Sequence, residues 1–364
     1  MWGCLRLAPG EQARPANTPT YSIFHAQSQI NGKNYSMNEL EKILPGGYRL
    51  RKAELSDLQA VTELYVAEQM DLRGESELIQ EDFLSFWQRP GFSLETDAWV
   101  VEGPEAKGAR PVVGYADIVY KSEFTHLRGD VCVHPLYRSL GIGTRLIRRL
   151  DARARQLASL ATPQAWVTLR NIMEAGDQQG RSLHENEGFE PVRYFFRMQI
   201  ELEAQPAEPK LPPGIELRPY QPGQERTLFE TIEEAFQDHW GHAAGDFEVF
   251  LHTTIQRDDF DPGLILAAWD GEEMAGCAIC QMRQNRGWIR QLAVRRPWRR
   301  QGLGMALLQK AFGEIFQRGH RQAALGVDAA SETGATRLYE RAGMGIVRRS
   351  VVYEKVIQKP QSQK

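Results

Sequence analysis

Two stretches of this 364-residue chain set arginine and glycine where they can hold an anion: Arg138-x-x-Gly141-x-Gly143 and Arg299-x-x-Gly302-x-Gly304. The copies lie 299 − 138 = 161 residues apart, about one domain length. In both, glycines open a turn to backbone angles closed to other residues and let a ligand approach the main chain. Arg138 and Arg299 add positive charge at that turn. A pyrophosphate suits such a loop. Neither copy ends in the Gly-Lys-Ser/Thr of a nucleoside-triphosphate loop, and neither has the third glycine of a dinucleotide fingerprint.

The flanks say what must position the loops. Val131 and Val133, like Ile289, Leu292 and Val294, read as buried strands, and Pro135 and Pro297 end them. Beyond the glycines, Leu146, Ile147, Leu150, Ala154 and Leu157 recur at helical spacing, as do Leu307, Leu308, Ala311, Phe312 and Ile315. Each loop therefore sits at a helix N-terminus, where free N–H groups and the macrodipole favour an anion.

The pattern of a strand valine, a proline and Arg-x-x-Gly-x-Gly, Val133-x-Pro135-x-x-Arg138 in one copy and Val294-x-x-Pro297-x-Arg299 in the other, resembles motif A of the GNAT (Gcn5-related) N-acetyltransferases. The segment Leu338-Tyr339 to Gly343-Met344 is similar to the family's Leu-Tyr-x-x-x-Gly-Phe, and Leu183-His184 to Gly188-Phe189 is its counterpart in the first copy. Tyr48 to Arg51 and Ile215 to Arg218 match the family's opening strand. These marks cover most of residues 46–358, so the chain resembles a tandem GNAT protein of the mycothiol-synthase-like kind. Ser331-Glu332-Thr333 departs from that group, standing where an asparagine is common.

The resemblance implies a mixed α/β (α+β) fold: two consecutive GNAT units, each a mostly antiparallel central sheet with flanking helices. Residues 1–45 read as a flexible N-terminal extension, 46–203 as the first unit, 204–213 as a Pro-rich linker, 214–358 as the second unit and 359–364 as a tail. It also implies acetyl-CoA as co-substrate. The residues that would hold it are Leu292, Val294, Arg299, Arg300, Gln301, Gly302, Leu303 and Gly304, with Val131, Val133, Arg138, Gly141, Ile142 and Gly143 in the first copy. Backbone N–H groups near 292–294 or 131–133 would steady the oxyanion of an attacked thioester. Tyr339 stands where the family's general acid protonates the departing thiolate.

The two units have diverged around the chemistry. The first has His184 at the tyrosine position, open to a structural or an acidic role, and Asp130 where relatives carry a general-base glutamate. The second has Gln291 there, which takes no proton, so its catalytic role rests on Tyr339. The acceptor is expected at Asp238, His239 and Trp240, a polar wall with an aromatic platform. Expected throughout is transfer of an acetyl group to a small-molecule amine. A non-catalytic acyl-CoA-binding protein and a protein N-acetyltransferase stay open as alternatives.

Composition bounds the rest. A net charge of −3 and 42% hydrophobic residues fit two ordinary cores and speak against nucleic acid as a partner. No apolar run reaches bilayer length, and a cytoplasmic location is expected. The chain is expected as a monomer or a homodimer. His239 and His242, three apart, could in principle bind a metal, but the resemblance implies that none is needed, and no metal is expected. Cys277 and Cys280 lie three apart on a strand after the Asp270-Gly271 turn, so they point to opposite faces.

Overall fold

The computed structural model describes residues 44, 46–106, 108–121, 123–284, 286–331 and 333–360. The expected extension 1–45 and tail 359–364 lie outside the described residues, apart from 44, 359 and 360. The chain order is β1 (Arg49–Lys52), α1 (Leu58–Arg73), α2 (Gln80–Trp87), β2 (Ala98–Glu102), β3 (Val112–Val119), β4 (His126–Val133), α3 (Ile142–Ala158), β5 (Val167–Glu174), α4 (Gln178–Asn186) and β6 (Glu190–Glu201). The same order then repeats: β7 (Ile215–Pro219), α5 (Glu225–Phe236), α6 (Phe247–Phe250), β8 (Ile265–Asp270), β9 (Glu273–Met282), β10 (Gly287–Val294), α7 (Leu303–Gln317), β11 (Gln322–Asp328), α8 (Ala335–Arg341) and β12 (Gly345–Gln358).

Among the described residues the strands form one 12-stranded sheet, ordered β1-β2-β3-β4-β5-β12-β6-β11-β10-β9-β8-β7. Two pairs are parallel, β4 with β5 and β10 with β11; the other neighbours are antiparallel. Sheet order does not follow chain order at the centre. The last strand of the first half, β6, pairs with β11, and the last strand of the chain, β12, pairs with β5. The two halves have exchanged their closing strands, and these also pair with each other.

The Pro-rich run allows this. From β6 to β7 the chain must pass four strands, about 24 Å at the usual strand spacing. The thirteen residues between Glu201 and Ile215 reach about 40 Å if extended as polyproline. On the way Leu202 is buried in the second-half core. Because neither half keeps its own closing strand, a single cooperative unfolding transition is expected by calorimetry. Two resolved transitions would mean that the exchanged strands do not couple the halves.

Each half of the sheet is covered on both faces. In the second half α7 packs its apolar stripe on one face and α5 covers the other. In the first half α3 and the α1–α2 pair do the same. Cys277 and Cys280 fall in different cores, one on each face of β9, as their three-residue spacing on a strand requires. Burial pushes both thiols up to about 12, so at pH 8 only about one molecule in 10⁴ holds either as thiolate. Ellman's reagent is therefore expected to leave both unmodified in the folded protein. Reaction within minutes would place one of them at a surface.

Candidate active site

Each loop is built the same way. β10 and β11 are in register only at Gly287↔Ala323 and Trp288↔Ala324, and beyond that the parallel strands part. β4 and β5 part after Gly129↔Asn171. After each splayed strand the chain turns through Arg300 (φ +61°) and Gly302 (φ +93°), or Ser139 (φ +63°) and Gly141 (φ +79°), into the N-terminus of α7 or α3. A left-handed conformation at a non-glycine residue costs about 1–2 kcal/mol. That both copies keep it at the same place fits a main chain shaped for a ligand. The second glycines have another reason. A Cβ on Gly143 would stand 2.7 Å from Leu183, and one on Gly304 3.3 Å from Leu338, so they let α3 and α7 press against α4 and α8.

In the second half the loop opens into a cavity of about 830 Å³. Its lining includes Leu292, Val294, Arg299, Arg300, Gly302 and Gly304, together with Gln291, Tyr339, Asp238 and His239. Gln301 and Leu303 do not line it: the Gln301 amide donates to the carbonyl of Pro297, and Leu303 is buried beneath the loop. Tyr339 is buried, and desolvation pushes its hydroxyl up to about 12, so it stays protonated across the physiological range. The side-chain oxygen of Gln291 is buried and accepts no hydrogen bond from any described residue. It is an acceptor waiting at the splay.

Four expected residues take different partners from those foreseen. Arg299 braces the loop, donating to the carbonyls of Val294 (3.1 Å) and Ala235 (2.9 Å) and to Asp238 (2.9 Å). Asp238 also pairs with Arg296, and the two arginines hold its carboxyl far below the usual range. Asp238 thus orients the loop. Arg138 is held likewise by Asp71, at 2.6 Å. Trp240 lies outside the cavity, under the guanidinium groups of Arg170 (4.6 Å) and Arg193 (5.4 Å), where it fastens this segment to β5 and β6. His239 lines the cavity with its ring against Phe236, at 4.4 Å. Burial lowers its pKa, which keeps it neutral.

The wall opposite the loop comes from the other half of the chain. Residues 73–78, from the last residue of α1 towards α2, line the same cavity except for Gly74. Glu75 pairs with Arg286 (2.7 Å) and Arg348, and Glu77 with Arg286 and, at 3.4 Å, Arg197, while the Trp288 indole donates to Glu77 at 3.0 Å. Burial and the neighbouring Arg348 press Arg197 down to about 10, still cationic at neutral pH. Sequence reading missed this wall. Its signal was only that the α1–α2 segment differs from its counterpart after α5.

The first half has its own cavity, about 560 Å³, lined by Val131, Val133, Arg138, Gly141 and Gly143, with Ile142 buried below. His184 is no acid there. Its Nδ1 donates to the carbonyl of Gly180 (2.7 Å), and in that neutral tautomer Nε2 accepts from the Asn171 amide (3.1 Å). Burial lowers its pKa as well. Among the described residues no group of three or more His, Cys, Asp or Glu is placed to hold a metal, and no helix is long and apolar enough to cross a membrane.

Comparison with known proteins agrees with this architecture. The acetyltransferase (GNAT) family model matches residues 226–344, and a GNAT acetyltransferase domain model matches 96–191. A crystal structure of a GCN5-related N-acetyltransferase from Sphaerobacter thermophilus is 34% identical, covers 88% of this chain and 99% of its own, and superposes with a TM-score of 0.72. The mycothiol acetyltransferase of Pseudarthrobacter chlorophenolicus is 28% identical over 66% of this chain and 74% of its own length. A tandem GNAT protein from the clavulanic acid biosynthesis pathway shares the fold, at 15% identity and a TM-score of 0.65 over 87% of this chain and 100% of its own. The chain therefore belongs to the GNAT acetyltransferase family, as a tandem of two such units. It is an N-acetyltransferase.

Proposed function

We propose that the second half transfers the acetyl group of acetyl-CoA to the amine of a small molecule bound between the halves. One observation carries this reading: the anion loop, the splayed strand, Tyr339 and Gln291, whose side-chain oxygen has no partner among the described residues, all line one cavity. The loop N–H groups of α7, reinforced by Arg300, would receive the pyrophosphate. The parted edge of β10 would meet the thioester oxygen. Gln291 accepts an N–H of the incoming amine and orients its lone pair; the proton released goes to solvent through the cavity. The amine nitrogen attacks the carbonyl carbon, the carbon–sulfur bond breaks, and Tyr339 donates its proton to the thiolate. Tyr339 then recovers a proton from solvent.

Lining of the cavity by Glu75 to Leu78 and Arg348, with Arg348 paired to Glu75, supports a small acceptor. The name of the relatives, mycothiol acetyltransferase, supports an acceptor of that size. The test is CoA release from acetyl-CoA with a panel of small amines and, in parallel, a lysine-containing peptide. Release with small amines alone is expected. Release with the peptide alone would replace this reading by a protein acetyltransferase, and acetyl-CoA binding without release by a sensor. With Glu75→Ala the acceptor KM is expected to rise at least fivefold while affinity for acetyl-CoA holds. An unchanged KM would remove the 73–78 wall from the acceptor site.

A further inference from the structure

The first-half cavity holds a constellation that the second half lacks. Asp130 and Glu68 line it, and Asp117 stands directly across the β3–β4 pair from Asp130, almost wholly buried. Tyr65 lines the same cavity. It is 93% buried (7% exposed), and its hydroxyl has no hydrogen-bond partner among the described residues. Its ring is fixed by Phe83 at 4.9 Å and Tyr115 at 5.9 Å, so the free hydroxyl is a held group rather than a wandering one. Two carboxyl groups, Glu68 and Asp130, and an unsatisfied phenol line one space at the point where β4 and β5 part, with Asp117 paired to Asp130 behind it. Although Arg73, Arg128 and Arg138 line the same space, these acceptors suit a ligand that brings several N–H donors. The anion loop of Arg138 to Gly143 opens into that space.

We infer that the first half is a second acyl-transfer centre, in which Asp130, Glu68 and Tyr65 bind a cationic amine beside an acyl-CoA held by the first loop. It rests on the acyl-CoA reading of the two loops given above. The chemistry differs from that of Tyr339. An ammonium must lose two protons to become an amide. The first passes to Glu68, freeing the nitrogen lone pair to attack the thioester carbon. The carbon–sulfur bond breaks, the thiolate leaves with the bonding pair, and Glu68 returns its proton to the sulfur, the part His184 cannot play. The second proton passes from nitrogen to Asp130 and on to solvent, so the balance is one proton released per amide and thiol formed.

The electrostatics around Glu68 fit that shuttle. Burial and the charges of Asp130 and Asp177 raise its pKa to about 7, against the pull of Arg73 and Arg138. Asp117 is raised too, by burial and by Asp130, against Arg128 and Arg89. The two cavities share Gln69, Arg73, Leu78 and Glu174 as lining, so the centres are neighbours across one wall.

The experiment uses the full chain carrying Gly302→Glu, which disables the second loop. CoA release from acetyl-CoA is followed with ethanolamine, glucosamine, spermidine and lysine. Amine-dependent release is expected to persist, with a pH profile that rises through about pH 7 as Glu68 deprotonates. Adding Glu68→Gln should lower it at least tenfold and flatten that limb, while acetyl-CoA affinity stays within twofold. Asp130→Asn, a second near-isosteric change, should also cost at least tenfold. If wild type releases CoA with an amine but Gly302→Glu abolishes all release, this inference is overturned and the second-half reading stands. If wild type itself releases none, both fall. Activity in Gly302→Glu that neither carboxamide variant lowers overturns the roles given to Glu68 and Asp130.

Discussion

Tyr339→Phe is expected to lower second-half turnover about 100-fold, some 2.7 kcal/mol of barrier, and to leave affinity for acetyl-CoA within twofold. The reason is local. The ring is packed in the α7-side core, and phenylalanine keeps that packing, so the fold and the splay survive. What is lost is one proton donor at the edge of the cavity. A CoA thiol has a pKa near 8.5, so at neutral pH its departure as a bare thiolate is uphill by one to two pH units, and the desolvated site adds to that. The phenol itself is held neutral by burial, and therefore ready to give rather than to lose its proton early. Steady-state kinetics with an acceptor unreactive in the Gly302→Glu protein, plus native mass spectrometry for binding, separates the two effects. Unchanged turnover would take Tyr339 out of the mechanism.

Gly302→Glu is expected to weaken acetyl-CoA binding in the second half at least 100-fold while the protein stays folded. Gly302 caps α7 at φ +93°, and a Cβ built on it meets nothing within 4 Å. The new side chain therefore costs about 1 kcal/mol in backbone strain and no steric clash. Its carboxylate falls at the helix N-terminus, where the macrodipole and the free N–H groups favour it. It would occupy the place of the pyrophosphate and repel what it does not replace. The measured sign is a drop of one acetyl-CoA per chain by native mass spectrometry with a melting temperature lowered by only a few degrees. Full occupancy would show that the ligand does not approach this turn.

Much of this was legible in the residues. The loops, their splayed strands and the helices after them are local: each follows from β-branched runs, a proline stop, glycines and helical periodicity within about thirty residues. The place of Tyr339 at the cavity was legible from a local motif, and the two faces of Cys277 and Cys280 from strand alternation alone. Roles that depend on distant partners were not legible. Arg299 looked like a phosphate ligand because nothing nearby revealed that Val294, Asp238 and Ala235 each engage one of its three guanidinium nitrogens. Trp240 looked like a platform because Arg170 and Arg193, 70 and 47 residues away in sequence, were invisible as its partners. His184 could be read as an acid until Gly180 and Asn171 were seen to engage both ring nitrogens.

By itself, the sequence determined that there are two anion loops of one design, in two units of one element order, and that one unit keeps a tyrosine where the other has a histidine. Period, propensity and turn chemistry act over a few residues and need no knowledge of the rest. Only the tertiary structure decided that β6 and β12 change places, since a strand's neighbour is set by which sheet edge is open, and the two halves offer equivalent edges. The same holds for the wall of Glu75 and Glu77 that lines the second-half cavity, and for the gathering of Tyr65, Glu68 and Asp130 around the first. Charges that far apart in the chain meet only when two cores have packed and the water between them is gone.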